Sequence, residues 1–237
     1  MSHLHVPDGV LPPLLWAPAL VLALLLLALS ARFGNGARAG NVEHGAGSDA
    51  PGGHPGGHGA GFRGALGALM LAVMTIPIPL FALEYCLTLA GPVGVLLGAG
   101  GSVQVAFVVC VVLAFLGQGG FSVVGLNVLV LAAGMAVARP AYRAVLPRLG
   151  PAGAMAVATA AAQALSGALW FALLALALRI EPRASLDPHG HASVLVFSGL
   201  AIGMWALAIA AESLVGFGIG RFLARVRPDL LPGGGPS

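Results

Sequence analysis

The sequence predicts an all-α bundle of membrane-spanning helices, and three observations predict it. Apolar residues make up 58% of the 237-residue chain and Asp, Glu, Lys and Arg only 8%, against about 25% charged residues in soluble domains. Mean hydropathy is +0.96. The apolar stretches are long and uniform, without the alternation of a β-barrel strand, and a chain in lipid must satisfy its backbone polar groups inside helices.

Apolar segments fall near 14–31, 64–83, 86–99, 102–116, 121–138, 152–178 and 194–219. A spanning helix needs about 20 such residues. The third and fourth segments are short and separated only by Gly100-Gly101, so they also read as one helix over 89–116. Charge asymmetry decides between six and seven spans. With seven spans and the N-terminus outside, Arg32, Arg38, Arg63, Arg139, Arg143, Arg148, Arg221, Arg225 and Arg227 lie in the cytoplasm and only Arg179 and Arg183 outside. With six spans the basic residues divide almost evenly. The expectation is therefore a plasma-membrane protein with seven transmembrane helices, N-terminus outside and C-terminus cytoplasmic. The two short segments read as Gly-broken helices buried against neighbours, where irregular backbone is tolerated at membrane depth. Gly94 and Gly98 form a small-xxx-small pair that lets another backbone approach.

The chain divides into four parts. Residues 1–32 form an N-terminal arm and the first helix. That helix reads as a span rather than a signal peptide, because no Lys or Arg precedes it, Asp8 does, and its apolar run exceeds a signal core of about 7–15 residues. Residues 33–62 are rich in Gly, carry His44, His54 and His58, and read as a flexible cytoplasmic linker. Residues 63–228 form a six-helix membrane module to which the first helix is an addition. Residues 229–237 read as a disordered tail.

Composition also excludes functions. All eleven basic residues are Arg. A P-loop needs a Lys to reach the phosphates, so any ATP-driven work belongs to a partner. The Arg residues are spread over several connections and form no stripe for nucleic acid. No Ser/His set or carboxylate pair lies together in the spans, so the chain does not read as an enzyme. Of the two cysteines, Cys110 lies mid-helix as a small buried thiol, and no disulfide framework is indicated.

Metal chemistry is the best-marked option. The chain opens Met1-Ser2-His3-Leu4-His5-Val6-Pro7-Asp8. An α-amine, the following backbone nitrogens and the His3 imidazole close small chelate rings, with or without Met1, and such nitrogen-rich tetragonal sites suit Ni(II) or Cu(II). The competing reading is a frayed terminus with idle histidines. Pro77-Ile78-Pro79 and Glu84-Tyr85-Cys86 fall at the outer end of the second span, on the N-terminal side. A Cys86 thiolate is a strong soft ligand, with Glu84 beside it to tune the site; a small apolar filler is the alternative. On the same side, Gly117-Gln118-Gly119-Gly120 and Asn127 offer hydrogen bonds to a metal ligand, or only a tight turn and one interhelical bond.

The remaining polar features are weaker. His189 and His191 near Asp187, like the linker histidines, read as solvated loop. Glu212, inside the last span toward the cytoplasm, is a functional suspect by its position, with no partner evident and a wet inner cavity as the plain reading. The basic stretch Arg139 to Arg148 reads as a short cytoplasmic loop, a topology anchor or a contact for anionic lipid or a partner.

His5-Val6-Pro7-Asp8-Gly9-Val10-Leu11-Pro12 resembles the N-terminal signature of the CbiM/NikM family, the substrate-capture (S-type) membrane subunits of cobalt and nickel energy-coupling-factor transporters. Gly117-Gln118-Gly119-Gly120-Phe121-Ser122-Val123-Val124-Gly125-Leu126-Asn127 resembles a second family motif, of moderate specificity. With Pro77-Ile78-Pro79 and the helix pattern, the likeness covers most of the chain outside linker and tail. It implies capture of Co2+ or Ni2+ as the transported ion, no organic cofactor, and partners that drive its release inward: a transmembrane coupling (T) subunit and cytoplasmic ATPase subunits, with or without a small accessory membrane subunit.

The family's site is implied to use the N-terminal amine, a backbone nitrogen, the imidazole of an N-terminal His and one more His after the second span. This chain departs twice. The inserted Ser2-His3-Leu4 puts His3, rather than His5, within chelating reach of the amine. The later His falls at Tyr85 or Cys86. The expected metal-binding set is thus Met1, Ser2, His3, His5 and Cys86, with Asp8, Glu84, Tyr85, Gln118 and Asn127 around it. A member that has lost transport, acting as a metal sensor or membrane scaffold, is the alternative.

Overall fold

A computed structural model describes residues 13–42, 59–76, 78–80, 83–118, 120–180 and 192–233, with the main chain alone at 33–42, 78–80, 83–84, 178 and 192–201. Five helices follow in order: α1 (Pro13–Val42), α2 (Ala60–Met74), α3 (Ala90–Phe115), α4 (Val124–Ile180) and α5 (Ala192–Val226). Between α2 and α3, strands β1 (Ile78–Leu80) and β2 (Leu83–Tyr85) pair antiparallel, Pro79 opposite Glu84 and Ile78 opposite Tyr85. This short ladder is an addition to the all-α expectation. It replaces the end of the second apolar segment, whose helix stops at Met74, before the prolines Pro77 and Pro79 remove backbone donors.

Among the described residues, four stretches are helical, long and apolar enough to cross a membrane: Pro13–Arg32, Ala90–Phe115, Val124–Ala177 and Ile202–Val226. Two of these elements contain a corner. At Gly150 the backbone leaves the helical region at φ 65°, ψ 177°, a combination essentially confined to glycine because a Cβ would collide with the backbone. The arms on either side, 124–149 and 151–180, fold back on each other: Ser166 Oγ donates to the Val130 carbonyl at 3.2 Å. The stretch expected as a basic loop is therefore helical, and the reversal is made by Gly150. Pro140 and Pro147 lie inside the first arm, where each leaves one carbonyl without its helical donor.

Gly98 has nearly the same geometry, φ 68° and ψ −175°. It breaks α3 into 90–97 and 99–115, two residues before the Gly100-Gly101 pair that the sequence pointed to. The short first arm runs alongside the first arm of α4, with Gly94 against Met135 and Gly98 against Arg139. The close approach at Gly94 has no room for a Cβ, which would meet the Met135 main chain.

The other helices wrap this centre. α5 lies antiparallel to the second arm of α4: Gly216 faces Thr159, and Gly220 faces Met155. α1 passes beside α4, with Gly125 against Leu20, and reaches α3 through a 3.4 Å hydrogen bond from Gln104 to Ser30. The main core joins Met70, Val93, Val109, Leu113, Val128 and Met135 from α2, α3 and α4. Large apolar side chains face outward, among them Val21, Leu25 and Leu29 on α1 and Leu207, Leu214 and Phe222 on α5, as expected of surfaces solvated by lipid tails.

The tail also differs from expectation. Residues 228–230 form a 3-10 turn, and Leu231 buries against the cluster of Ala138, Tyr142 and Met155. Arg227 bonds Asp229 at 2.9 Å and holds that exposed carboxyl below its ordinary range, chiefly by hydrogen bonding. The burial of Leu231 ties the segment to the bundle, and the charge pattern alone gives no sign of it. Residues 234–237 lie outside the described residues.

Candidate metal-capture wall

The connection into α3 does not stay at the surface. Tyr85, Cys86, Thr88 and Leu89 are all buried, with 8%, 5%, 2% and 7% of their surfaces exposed. A buried loop is tolerated only when its polar groups find partners, and here Glu212 of α5 supplies them. Glu212 Oε1 accepts from the Tyr85 hydroxyl at 2.7 Å and from the Thr88 N–H at 2.7 Å; Oε2 accepts from the Thr88 hydroxyl at 3.1 Å. Thr88 Oγ1 in turn accepts from Gln163 Nε2 at 2.6 Å and from the Ala90 N–H at 3.2 Å. That hydroxyl thus uses its one donor and both acceptor sites, and satisfies one of the open N–H groups at the start of α3.

The cluster sits deep in the bundle. Gln163 lies thirteen residues past the Gly150 corner, about 20 Å along the helix at 1.5 Å per residue. Glu212 is 1% exposed. The expectations of no internal partner and of a wet cavity toward the cytoplasm are therefore both corrected. A carboxyl at this depth is costly unless hydrogen-bonded, and three donors meet it.

The same bonds hold a strained main chain. Leu89 adopts a left-handed conformation, φ 55° and ψ 18°, unusual for a residue with a branched apolar side chain. Such a conformation persists where its surroundings over-determine it. Thr88 on one side is bonded at both N–H and hydroxyl, and the Leu89 side chain packs in the main core.

The expected site residues fare differently. Met1, Ser2, His3, His5 and Asp8 lie outside the described residues. Glu84 is in β2, opposite Pro79, with only its main chain described. Tyr85 is brought together with Thr88, Gln163 and Glu212, and Cys86 is buried in the segment between Tyr85 and Thr88. Asn127 is buried near the start of α4, and its N–H bonds the Val123 carbonyl at 3.0 Å. Gln118, following α3, donates its N–H to the Leu113 carbonyl at 2.9 Å, while its buried Oε1 has no partner among the described residues. Neither cysteine is in a disulfide, and Cys110 is buried in the main core as expected. His189 and His191 and the linker histidines lie outside the described residues.

Among the described residues no three His, Cys, Asp or Glu side chains gather as a metal site. Cys86 is the one thiol beside the Tyr85–Glu212 contact. The sequence reading missed Thr88 and Gln163. Gln163 had a usable signal, a large polar side chain inside an apolar span; Thr88 had none, since its role comes from a tertiary contact across 124 residues.

No curated protein and no solved structure matches the chain. The family profile described as the cobalt uptake substrate-specific transmembrane region, CbiM, matches residues 5–230, and the chain belongs to that family of cobalt-uptake membrane proteins.

Proposed function

We propose that the chain is the substrate-capture permease subunit of an energy-coupling-factor importer for Co2+ or Ni2+. Family membership makes it a membrane component of metal uptake; the capture chemistry goes further. In this reading the N-terminal amine and His3 chelate the ion, with His5 and Cys86 as the remaining protein donors and Asp8, Glu84, Tyr85, Gln118 and Asn127 around them. In this reading the chain crosses seven times with the N-terminus outside, α1, α2, the two arms of α3, the two arms of α4 and α5 each counting once. The nine-to-two division of arginines supports that orientation. A transmembrane coupling subunit and cytoplasmic ATPases, with or without a small accessory membrane subunit, supply the energy for release.

The observation that carries the reading is the wall at 85–88. A small-molecule or ion site needs donors held by their surroundings before the ligand arrives, and Glu212 holds the segment that carries Cys86 from both sides. The test is metal uptake by cells co-expressing the partner subunits, with His3→Ala and with Cys86→Ala. Both variants are expected to insert normally and to lose uptake. Uptake equal to the parent in His3→Ala would overturn capture by the N-terminal arm.

One observation favours a second reading, a sensor or scaffold without efficient transport. Tyr85, one of the two residues in the place of the family's later His, already donates its hydroxyl to Glu212. Purified protein that carries no metal under conditions where Cys86→Ala carries none either would support that reading over transport.

A further inference from the structure

A second recess lies on the first arm of α4, at the Gly98 corner. It is an open groove of about 630 Å³ lined by Ala99, Ala136, Arg139, Pro140, Arg143 and Ala144. Its walls are small and apolar, and its only charged groups are two guanidinia one helical turn apart on one face of α4.

Neither guanidinium has a carboxylate partner among the described residues. Among the described residues, the single ion pair is between Arg227 and Asp229, and Glu212 is occupied with Tyr85 and Thr88. Arg139 Nε is buried and has no hydrogen-bond partner among the described residues. Nε is closed off from outside, so the groups that an outside acceptor can meet are the terminal nitrogens of Arg139 and Arg143. Two further features fit one. Glycine at position 98 leaves the space that the Arg139 guanidinium occupies, since a Cβ there would stand 2.8 Å from Nη1. Pro140 has no N–H, so the carbonyl of Ala136, a residue that lines the recess, lacks its helical donor.

We propose that this recess is a binding site for the phosphodiester headgroup of an anionic membrane lipid, with Arg139 and Arg143 on the phosphate oxygens and the Ala136 carbonyl on a headgroup hydroxyl. Guanidinium and phosphate oxygens form charge-assisted, paired hydrogen bonds, and basic pockets between transmembrane helices take anionic lipid headgroups. A lipid fits better than an acidic protein surface. The recess is walled by alanine and proline on a membrane-crossing helix, where a headgroup and its glycerol backbone are already at hand, and a protein carboxylate would have to leave water to enter it.

The test uses the full chain purified in neutral detergent. Lipid retention is read by native mass spectrometry and thermal unfolding is followed with added phosphatidylglycerol, phosphatidylcholine or inorganic phosphate. The parent is expected to retain phosphatidylglycerol and to unfold several degrees higher with it than with phosphatidylcholine. The Arg139→Gln/Arg143→Gln variant is expected to lose that retention and that difference, while Arg148→Gln, outside the recess, keeps both. If the double variant fails to fold, Arg143→Gln, whose side chain is exposed, is expected to weaken retention at least several-fold. Equal effects in Arg148→Gln and the recess variants would reduce the site to general surface charge and overturn the proposal. An equal shift with inorganic phosphate would overturn it as well.

Discussion

The Tyr85 hydroxyl donates to Glu212 Oε1 at 2.7 Å across 127 residues of sequence, joining the loop before α3 to the last helix. With the Thr88 bonds it makes a wall that belongs to neither element alone. Removing the acceptor is therefore worse than removing one donor. Glu212→Ala orphans the buried Tyr85 hydroxyl and Thr88 N–H, at about 1–3 kcal/mol each. Tyr85→Phe leaves Glu212 two donors and costs about 0.5–1.5 kcal/mol. Thermal or denaturant unfolding in one detergent should rank the parent above Tyr85→Phe and Tyr85→Phe above Glu212→Ala. The reverse order of the two variants would show that the carboxyl is not what the loop depends on.

The two glycine corners invite a comparison. Gly98 and Gly150 share a conformation that an L side chain adopts at a cost of about 1–3 kcal/mol. At Gly150 an added Cβ meets nothing within 4 Å, whereas at Gly98 it comes within 2.8 Å of the Arg139 guanidinium. Gly150→Ala should lose stability by the conformational cost alone, and Gly98→Ala should lose more. Folded yield and melting midpoint read the difference. Equal losses would mean that the Arg139 side chain moves aside freely.

Much of the fold was legible because its determinants are local. The apolar segments and the small-residue pair Gly94 and Gly98 follow from composition and periodicity, whereas the packing of α1 on α3 and α4 through Ala19 and Ala23 does not. The break in α3 was expected at Gly100-Gly101 and occurs at Gly98, because sequence marks where glycine is available and packing against Met135 and Arg139 selects which glycine turns. The Arg139 to Arg148 stretch was expected to be a loop since prolines and charges usually mark one, yet Tyr142 and Ala138 bury against the second arm and keep it helical. At the site, Tyr85, Cys86 and Glu212 were each suspected singly. Their connection was not legible, because hydrogen bonds spanning more than a hundred residues leave no periodic trace.

Glycines elsewhere in α3 separate packing from conformation. At Gly94 an added Cβ runs into the Met135 main chain, which has no rotamer to yield, so Gly94→Ala pushes two backbones apart and should cost about 1–3 kcal/mol. At Gly100 a Cβ has nothing within 4 Å, and alanine is favoured over glycine inside a helix by about 0.5–1 kcal/mol. Gly100→Ala should therefore raise the melting midpoint slightly while Gly94→Ala lowers it. Two changes of the same sign would argue against close packing of α3 on α4.

The two cysteines offer a matched pair for the metal reading. Both are buried, 5% exposed at Cys86 and 3% at Cys110, so losing the sulfur should cost similar packing at each. Only Cys86 adjoins the Tyr85–Glu212 wall. If its thiolate ligates the ion, Co(II) added to purified protein should give a sulfur-to-metal charge-transfer absorption that disappears in Cys86→Ala and survives in Cys110→Ala. Thiolate ligation also requires loss of a proton, so the absorption should grow as pH rises and fade on acidification. A band that persists unchanged in Cys86→Ala would remove the thiol from the coordination set and leave the histidines of the N-terminal arm as the remaining side-chain ligands proposed.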